Sequence, residues 1–235
     1  MVSDLYRRIE NNLTDRIPSR ENWRIERQTN LNPRNRSPEI LLERAIALLG
    51  ERGILKEWFN QIPVASGLID KDADKRAAID LLRYQNESVE LVELKWQSDT
   101  PAYAAIEILR YGLAYLLSYV NRETFGYAEN PLMKAGQVSL RVLAPQEFFD
   151  DCDLTWFGHG LNEGVRALAD REVGQTFSMD FGFLAFPTGF NMPFTTGEEV
   201  LRMWNVEEDA EPCRKLVAAM HNLESIWRDP KDEAL

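Results

Sequence analysis

Two short apolar runs near the middle of the chain carry charged residues that an ordinary hydrophobic core would exclude. Asp80 lies inside the run AAIDLL, and Glu93 and Lys95 lie inside the run VELVELKW. Because an isolated ionised carboxylate is costly to bury, such charges need a partner or a metal ion. Mg²⁺ prefers oxygen ligands and commonly takes one or two carboxylates, with water and phosphate completing its shell. The residue types therefore favour a divalent-metal site.

The alternation of side chains along a strand decides which of these residues can meet. Successive residues point to opposite faces, so Glu93, Lys95 and Gln97 would share one face of a strand. If the two runs pair as a hairpin with Asp80 beside Glu93, two carboxylates meet at one end of a sheet. A cation held there would activate water and neutralise charge on a phosphodiester. Lys95 could orient that water or stabilise the developing negative charge.

The elements that must position these residues follow from capping signals and hydrophobic patterning. Ser37-Pro38-Glu39 opens a helix that is expected to stop near Gly50 or Gly53. Thr100-Pro101 opens a second, long helix over 102–120, with apolar residues at three- and four-residue spacings. Strands are predicted over four segments: 61–69, 76–84, 89–96 and 138–144. The second and third strands are joined by a polar turn, residues 85–88, which is typical of an antiparallel hairpin.

The outer parts of the chain are less regular in sequence. A short helix is predicted over 3–12, followed by a polar, irregular arm over 16–36 that Trp23 and Ile25 attach to the core. After Pro145, we predict helices at 147–152, 160–171, 196–204 and 212–227, and an aromatic strand at 177–186. The order helix, three strands, helix, strand indicates an α/β fold. We expect a single domain over 1–235, with an Arg-rich arm (1–36), a core (37–145) and a C-terminal α/β extension (146–235).

An acid on one strand followed by Glu-x-Lys on the next, between helices, resembles the PD-(D/E)xK, or restriction-endonuclease-like, superfamily. Here Asp80 would be the first acid and Glu93-Leu94-Lys95 the second motif, and the resemblance covers residues 37–145. It implies a central mixed sheet flanked by helices, in the order helix-strand-strand-strand-helix-strand, with N- and C-terminal elaborations. It also implies phosphodiester cleavage with Mg²⁺ or Mn²⁺ as the cofactor, with Asp80, Glu93 and Lys95 as catalytic residues.

The same resemblance assigns supporting roles on the two helices. Glu43, on the helix before the strands, would join Asp80 and Glu93 as a metal ligand. Glu107 and Tyr111, on the helix after them, would lie in the second shell with Gln97. Two departures from the family pattern stand out: Asp80 follows isoleucine rather than proline, and residue 107 is Glu where related nucleases often carry Gln. We therefore give Glu107 only a weak ligand or orienting role.

Each of these residues also has a purely structural interpretation. Asp80 could be satisfied by a nearby arginine, and Glu93 with Lys95 could be a plain cross-strand ion pair. Glu43 could be an ordinary acid on a helix surface, and Glu107 could pair with Arg110 or Arg44. At the level of the whole chain, the alternative to a nuclease is a catalytically silent binding or assembly module with the same fold.

Charge and composition constrain the partners. The net charge is −11, which argues against a protein that coats nucleic acid. Residues 1–36 nevertheless contain eight arginines against five acids, a balance of +3, so the rest of the chain carries −14. This asymmetry suggests an anionic partner, and a solvated, salt-bridged surface explains it equally well. The family resemblance makes nucleic acid, DNA in the first place, the expected partner. Six basic residues would then contact phosphates: Arg24, Arg27, Arg34, Arg36, Lys75 and Arg76.

The remaining composition is that of an ordinary globular protein, with 44% hydrophobic and 28% charged residues. Neither a signal sequence nor a membrane-spanning run is evident, so a cytoplasmic protein is expected. The two cysteines, Cys152 and Cys213, are too far apart in sequence to suggest a zinc site or a disulfide framework. The run 113–119 and the aromatic strand could serve a homodimer contact, which the sequence leaves open.

Overall fold

A six-stranded mixed sheet forms the centre of the molecule, and its strands lie side by side in chain order. The computed structural model describes residues 1–13, 17–69, 77–203 and 210–226. The strands are β1 (Trp58–Pro63), β2 (Ala78–Gln85), β3 (Ser88–Leu94), β4 (Gln137–Ala144), β5 (Ser178–Ala185) and β6 (Glu224–Ser225). Strands β1, β2 and β3 are antiparallel neighbours, β3, β4 and β5 run parallel, and β6 is antiparallel to β5. The protein is thus α/β with a mixed sheet, as predicted, and the sheet is open.

Helices cover both faces of this sheet. They are α1 (Val2–Asn11), α2 (Pro38–Glu51), α3 (Ser66–Ile69), α4 (Pro101–Val120), α5 (Arg122–Phe125), α6 (Thr155–Glu172), α7 (Gly197–Met203) and α8 (Glu211–His221). Two short 3-10 turns lie at Pro131–Lys134 and Gln146–Phe148. One core cluster packs α1, α4 and α6 on the sheet, and a second packs α2, α7 and α8. Alternation along β3 divides the two clusters, since Leu91 belongs to the first and Val92 to the second.

The two helices that flank the predicted site begin where the capping signals place them. Helix α4 starts after Thr100, whose hydroxyl accepts a hydrogen bond from the Tyr103 N–H at 3.3 Å. Helix α2 starts after Ser37, whose side chain makes no capping bond, and Pro38 opens the first turn. Gly112 brings α4 close to the sheet, because a Cβ there would lie 2.5 Å from the Leu140 side chain. Helix α4 therefore packs closely on β3 and β4, and α2 packs on β1.

The N-terminal arm covers the free edge of β1. The Trp23 N–H donates to the carbonyl of Pro63 at 2.7 Å, and the Arg27 guanidinium donates to the carbonyls of Trp58 and Lys56 at 2.9 and 2.6 Å. Trp23 is fully buried and Ile25 packs on the same cluster, so both residues attach the arm to the core as predicted. Because unpaired strand edges invite association with other chains, this arrangement protects the sheet.

Three predicted elements were wrong in extent. The helix predicted at 212–227 is α8, which ends at His221, and Glu224–Ser225 instead form β6 against β5. The strand predicted at 61–69 is β1, which begins at Trp58 and ends at Pro63; the following apolar residues form the short helix α3 instead. The helix predicted at 147–152 is only a 3-10 turn, Gln146–Phe148. Trp204 and Trp227, the predicted ends of two helices, lie outside the described residues. Over the described ranges, no helix is both long enough and apolar enough to cross a membrane.

The two runs considered for a homodimer contact lie inside the protein. Leu113, Leu116 and Leu117 on α4 are buried in the first core cluster. The aromatic side chains of β5 and its flanks are buried as well, namely Phe177, Phe181, Phe183 and Phe186. Neither run therefore offers a surface for a second copy of the chain.

Candidate functional site

The β2–β3 hairpin sets two carboxylates side by side. Its turn consists of Asn86 and Glu87, both with positive φ (51° and 61°), as in a two-residue hairpin turn. The turn fixes a register in which Leu81 faces Val92, so Asp80 comes opposite Glu93. One carboxylate oxygen of Asp80 accepts a hydrogen bond from the Leu94 N–H at 3.0 Å. The predicted pairing of the two acids is therefore present at the end of the hairpin.

Lys95 places its ammonium group among three carboxylates. Its Nζ lies 2.9 Å from Glu93 Oε1, 3.1 Å from Glu107 Oε2 and 3.3 Å from Asp99 Oδ2. The contact with Glu107 is a hydrogen bond, and the contacts with Glu93 and Asp99 are ion pairs. Burial alone would lower the pKa of Lys95, but Glu93 and Glu107 raise it above its ordinary value. Lys95 is therefore held firmly in its charged form.

The acids outnumber the cation at this site. Asp80, Glu93, Asp99 and Glu107 surround the single ammonium of Lys95, a formal balance of −3. Burial raises the pKa of both Asp80 and Glu93 well above the ordinary carboxyl value, and the charge of Asp80 raises that of Glu93 further. Glu93 Oε2 is buried, and none of the described residues is a hydrogen-bond partner of it. An orphaned carboxylate oxygen in a site short of positive charge is what a missing cation or proton would leave.

Helix α4 contributes a further pair to this cluster. The Tyr111 hydroxyl donates to Glu107 Oε1 at 3.3 Å, while Glu107 Oε2 faces Lys95. Burial, together with the charges of Glu107 and Glu93, raises the pKa of Tyr111, so its hydroxyl keeps its proton. The two residues predicted to support the site from the following helix therefore do contact it, through Lys95.

Glu43 lies on α2 with its own set of partners. It is 4% exposed, and its Oε1 accepts hydrogen bonds from the Arg44 guanidinium and, at 2.6 Å, from Asn60 Nδ2. Burial raises the pKa of Glu43 to about 7, with the charge of Asp80 adding to the effect while Arg44, Asn60 and Gln61 oppose it. The pKa of Glu43 therefore depends on the charge of Asp80 on the hairpin. Glu43 is not an ordinary helix-surface acid.

A loop fastened to α2 carries the end of β3 past the site. Glu39 Oε1 accepts hydrogen bonds from the Trp96 N–H at 3.1 Å and from the Ser98 hydroxyl at 2.5 Å. Asp99, which contacts Lys95, has a left-handed backbone with φ 65°. Gln97 sits in this loop with an exposed side chain and, among the described residues, makes no hydrogen bond to the acids. The strand ends at Leu94, so the shared face predicted for Gln97 is not realised.

The residues that were predicted to contact phosphates make different kinds of contact in the structure. Arg27 is bound to backbone carbonyls and lies over the Phe59 ring, 4.0 Å from its centroid. Arg24 pairs with Glu21 and Glu26 on the surface. Arg34 and Arg36 are exposed. The last two members of the set, Lys75 and Arg76, lie outside the described residues.

Three residues at the site were not anticipated from the sequence: Asn60 and Gln61 on β1, and Asp99 after β3. Arg44, considered as a partner of Glu107, pairs with Glu43 instead. Asn60 is fully buried and bonds both Glu43 and the arm, since it accepts from the Gln28 N–H at 2.7 Å and donates to the Gln28 carbonyl at 3.0 Å. The available signal was the alternation in WFNQIP, which puts Asn60 on the same strand face as Trp58. An amide on a buried face needs hydrogen-bond partners.

The chemistry of these side chains can be compared with the needs of a divalent cation. Among the described residues, no group of three or more His, Cys, Asp or Glu side chains is arranged to hold a metal ion. Glu43 thus does not complete a three-carboxylate set with Asp80 and Glu93. The adjacent pair alone still fits Mg²⁺, which takes one or two protein carboxylates and keeps several water ligands. The orphaned Glu93 Oε2 supplies the free donor atom that such binding needs.

In comparisons with protein-family models, curated proteins and solved structures, no match to this chain was found. The case for a function rests on the geometry of the site.

Proposed function

We propose that the chain is a metal-dependent nuclease that hydrolyses phosphodiester bonds, with DNA as the expected substrate and a restriction-endonuclease-like core. The observation that carries the proposal is the excess of carboxylates around Lys95 in the described part of the chain, where one buried carboxylate oxygen has no partner. Such a site is unfavourable unless a cation or protons complete it. Apart from the short helices α3 and α5 and a 3-10 turn, the element order from α2 to β4 is a helix, three antiparallel strands, a helix and a parallel strand, which supports the same assignment.

The proposed roles follow from the contacts of each side chain. Asp80 and Glu93 would hold Mg²⁺ or Mn²⁺, with Glu43 acting on the ion through water. Bound there, the cation would supply an activated water molecule and offset charge on the phosphate. Lys95 would stabilise the negative charge that develops on the phosphate oxygens. Glu107, held by Tyr111, would keep the ammonium of Lys95 beside Glu93.

Lys95 must give up one of its three carboxylate contacts before it can contact a phosphate. The contact with Asp99 is the longest, at 3.3 Å, and Asp99 is 40% exposed, the most exposed of the three acids. An ion pair that is this exposed to solvent contributes little stability, so replacing Asp99 by a phosphate costs little free energy. Asp99 is therefore the partner that we expect to leave when a phosphate enters.

Nicking of supercoiled plasmid in the presence of Mn²⁺ tests this assignment. Wild-type protein should nick DNA only with the metal, and Asp80→Asn and Lys95→Met should each abolish the activity. Asp180→Asn is the matched control, because Asp180 is also a partly buried strand aspartate but pairs with Arg141 and Ser139 away from the site. Metal-dependent nicking that persists in both site variants would refute the assignment.

A catalytically silent module remains the second candidate, and two observations favour it. Lys95 is already paired with three acids, and no three-ligand metal group exists among the described side chains. In such a module the acids would share protons instead of binding a cation. Thermal melts separate the two candidates, since Mn²⁺ that binds the folded state must raise the melting temperature. An unchanged melting temperature at millimolar Mn²⁺ would favour the module.

A further inference from the structure

Four residues, which we call the 96–99 loop, join the end of the β3 segment to helix α4 beside the site. Before the loop, Lys95 is bonded to the sheet, because its N–H donates to the carbonyl of Leu143 at 2.9 Å. After the loop, the side chain of Thr100 caps the first turn of α4. The loop therefore runs between two fixed points, and the contacts along it decide where Asp99 lies.

One carboxylate oxygen of α2 clamps this loop at two points. Glu39 lies in the first turn of α2, and its Oε1 accepts hydrogen bonds from the Trp96 N–H at 3.1 Å and from the Ser98 hydroxyl at 2.5 Å. Trp96 is also anchored by its ring, whose centroid lies 5.9 and 6.1 Å from those of Phe186 and Phe190. The bond from Ser98 therefore holds the outer half of the loop, beyond the anchored tryptophan.

Asp99 follows the clamped serine directly and faces Lys95. Its Oδ2 lies 3.3 Å from Lys95 Nζ, and its side chain is 40% exposed, whereas that of Glu93 is 5% exposed. Asp99 therefore lies on the side of the ammonium group that is open to solvent, from which a phosphate would arrive. Carboxylate and phosphate oxygens bind an ammonium group by the same charge-assisted hydrogen bond. The Asp99 carboxylate thus competes with a phosphate for Lys95.

We propose that Glu39 is a positioning residue: by clamping the 96–99 loop to α2, it keeps Asp99 in front of Lys95 and so restrains the binding of a phosphate there. The inference rests on the proposed function, because it concerns the entry of a phosphate to Lys95. A phosphate enters when the outer half of the loop moves away, and the two bonds at Glu39 Oε1 oppose that movement. Both bonds go to the loop, so the clamp can be tested without a metal ion.

The affinity for a fluorescein-labelled DNA duplex, measured by fluorescence anisotropy at low salt with EDTA present, tests the inference without cleavage. Asp99→Asn removes the competing charge, Glu39→Ala removes the clamp, and the double variant removes both. Glu39→Gln is the matched control, because its amide oxygen can still accept the bonds from Trp96 and Ser98 although the negative charge is lost. The melting temperature of each variant shows whether it is folded.

We expect Asp99→Asn to bind the duplex about two- to fivefold more tightly than wild type, the factor that corresponds to an exposed ion pair. Glu39→Ala should tighten binding about twofold, since the loop is freed but Asp99 keeps its charge. Glu39→Gln should retain the wild-type Kd. The double variant should bind no more tightly than Asp99→Asn, because two residues that act through one contact are not additive. A purely structural role for Glu39 would weaken binding or leave it unchanged.

Several results would overturn the inference, and they separate it from the proposed function. If wild type binds the duplex but Asp99→Asn binds it no more tightly, or if Asp99→Asn tightens binding and Glu39→Ala does not, the clamp fails while the proposed function stands. If Glu39→Gln tightens binding as much as Glu39→Ala, the lost charge and not the lost clamp is the cause. If neither wild type nor Asp99→Asn binds the duplex, the proposed function and the inference fail together.

Discussion

Replacing Glu93 by glutamine should make the protein more stable in the absence of metal. Burial and the neighbouring charge of Asp80 raise the pKa of Glu93 well above 7, so the folded protein keeps this carboxyl protonated at neutral pH, while the unfolded chain ionises it near pH 4.5. Between pH 4.5 and pH 7 lie about 2.5 pH units, each equivalent to about 1.4 kcal/mol. Glu93 therefore destabilises the fold at pH 7 by up to about 3 kcal/mol relative to a side chain that never ionises.

Glutamine is suited to the position. Its Oε1 can still accept from Lys95, and its amide can donate towards Asp80 from the place of Glu93 Oε2, which now lacks a partner. The bond from Lys95 is weaker to an amide than to a carboxylate, so we expect a net gain of about 2 kcal/mol. For a domain of this size that corresponds to a melting temperature higher by about 4–8 °C.

The pH dependence of the stability difference between Glu93→Gln and wild type provides an internal check. A carboxyl whose pKa is raised by folding favours the folded state at low pH, and this contribution is lost as the pH rises. The stability difference between Glu93→Gln and wild type should therefore be small near pH 4.5 and grow towards pH 7. Urea unfolding at several pH values, with EDTA present, measures it directly.

Glu90→Gln is the control for this series, because Glu90 lies on the other face of β3 and pairs with Arg83 and Arg141. That substitution should lower stability modestly, since it only removes ion pairs. If Glu93→Gln were instead less stable than wild type by more than about 1 kcal/mol at pH 7, Glu93 and Lys95 would form a net stabilising ion pair. The reasoning about an uncompensated acid cluster would then be refuted.

Three further predictions follow from the same contacts. Lys95→Met leaves the acids without their cation and should destabilise the metal-free protein by about 3–5 kcal/mol in urea unfolding, a loss that Mn²⁺ should partly restore. Since folding raises the pKa of Glu43 from 4.5 to about 7, wild type should lose up to about 3 kcal/mol relative to Glu43→Gln as the pH rises from 4.5 through 7; a pH-independent difference would contradict this. Arg27→Ala should lower stability by about 1–3 kcal/mol because it unpairs the carbonyls at the β1 edge, whereas Arg34→Ala should leave stability within about 0.5 kcal/mol and weaken only DNA binding measured by fluorescence anisotropy.

The sequence predicted those parts of the fold that local patterning determines. Helices α2 and α4 begin at the Ser-Pro and Thr-Pro signals, and the hairpin has the alternation that places Asp80 and Glu93 on one face. The strand before the hairpin was predicted too late in the sequence, because the apolar run after Pro63 is compatible with either a strand or a helix. β1 ends at Pro63 and Ser66–Ile69 form a helix, a choice that the local sequence does not determine.

Long-range contacts explain what the sequence did not reveal at the site. Asn60 meets Glu43 and Gln28 across 17 and 32 positions of sequence, and no local pattern records such contacts. The arginines of the arm were interpreted from their charge as phosphate contacts. Arg27 instead binds backbone carbonyls that become available only because β1 is an edge strand of the sheet. Gln97 was placed with the acids by strand alternation, which stops applying where β3 ends at Leu94.

The central claim is that Asp80 and Glu93 bind a divalent cation beside Lys95, and anomalous diffraction from crystals soaked in Mn²⁺ tests it most directly. We predict one strong manganese peak bonded to carboxylate oxygens of Asp80 and Glu93, with Glu93 Oε2 among the ligands, and no such peak in crystals of Glu93→Gln. A site that stays empty at millimolar Mn²⁺, with Lys95 still bonded to Glu93, Asp99 and Glu107, would contradict the claim.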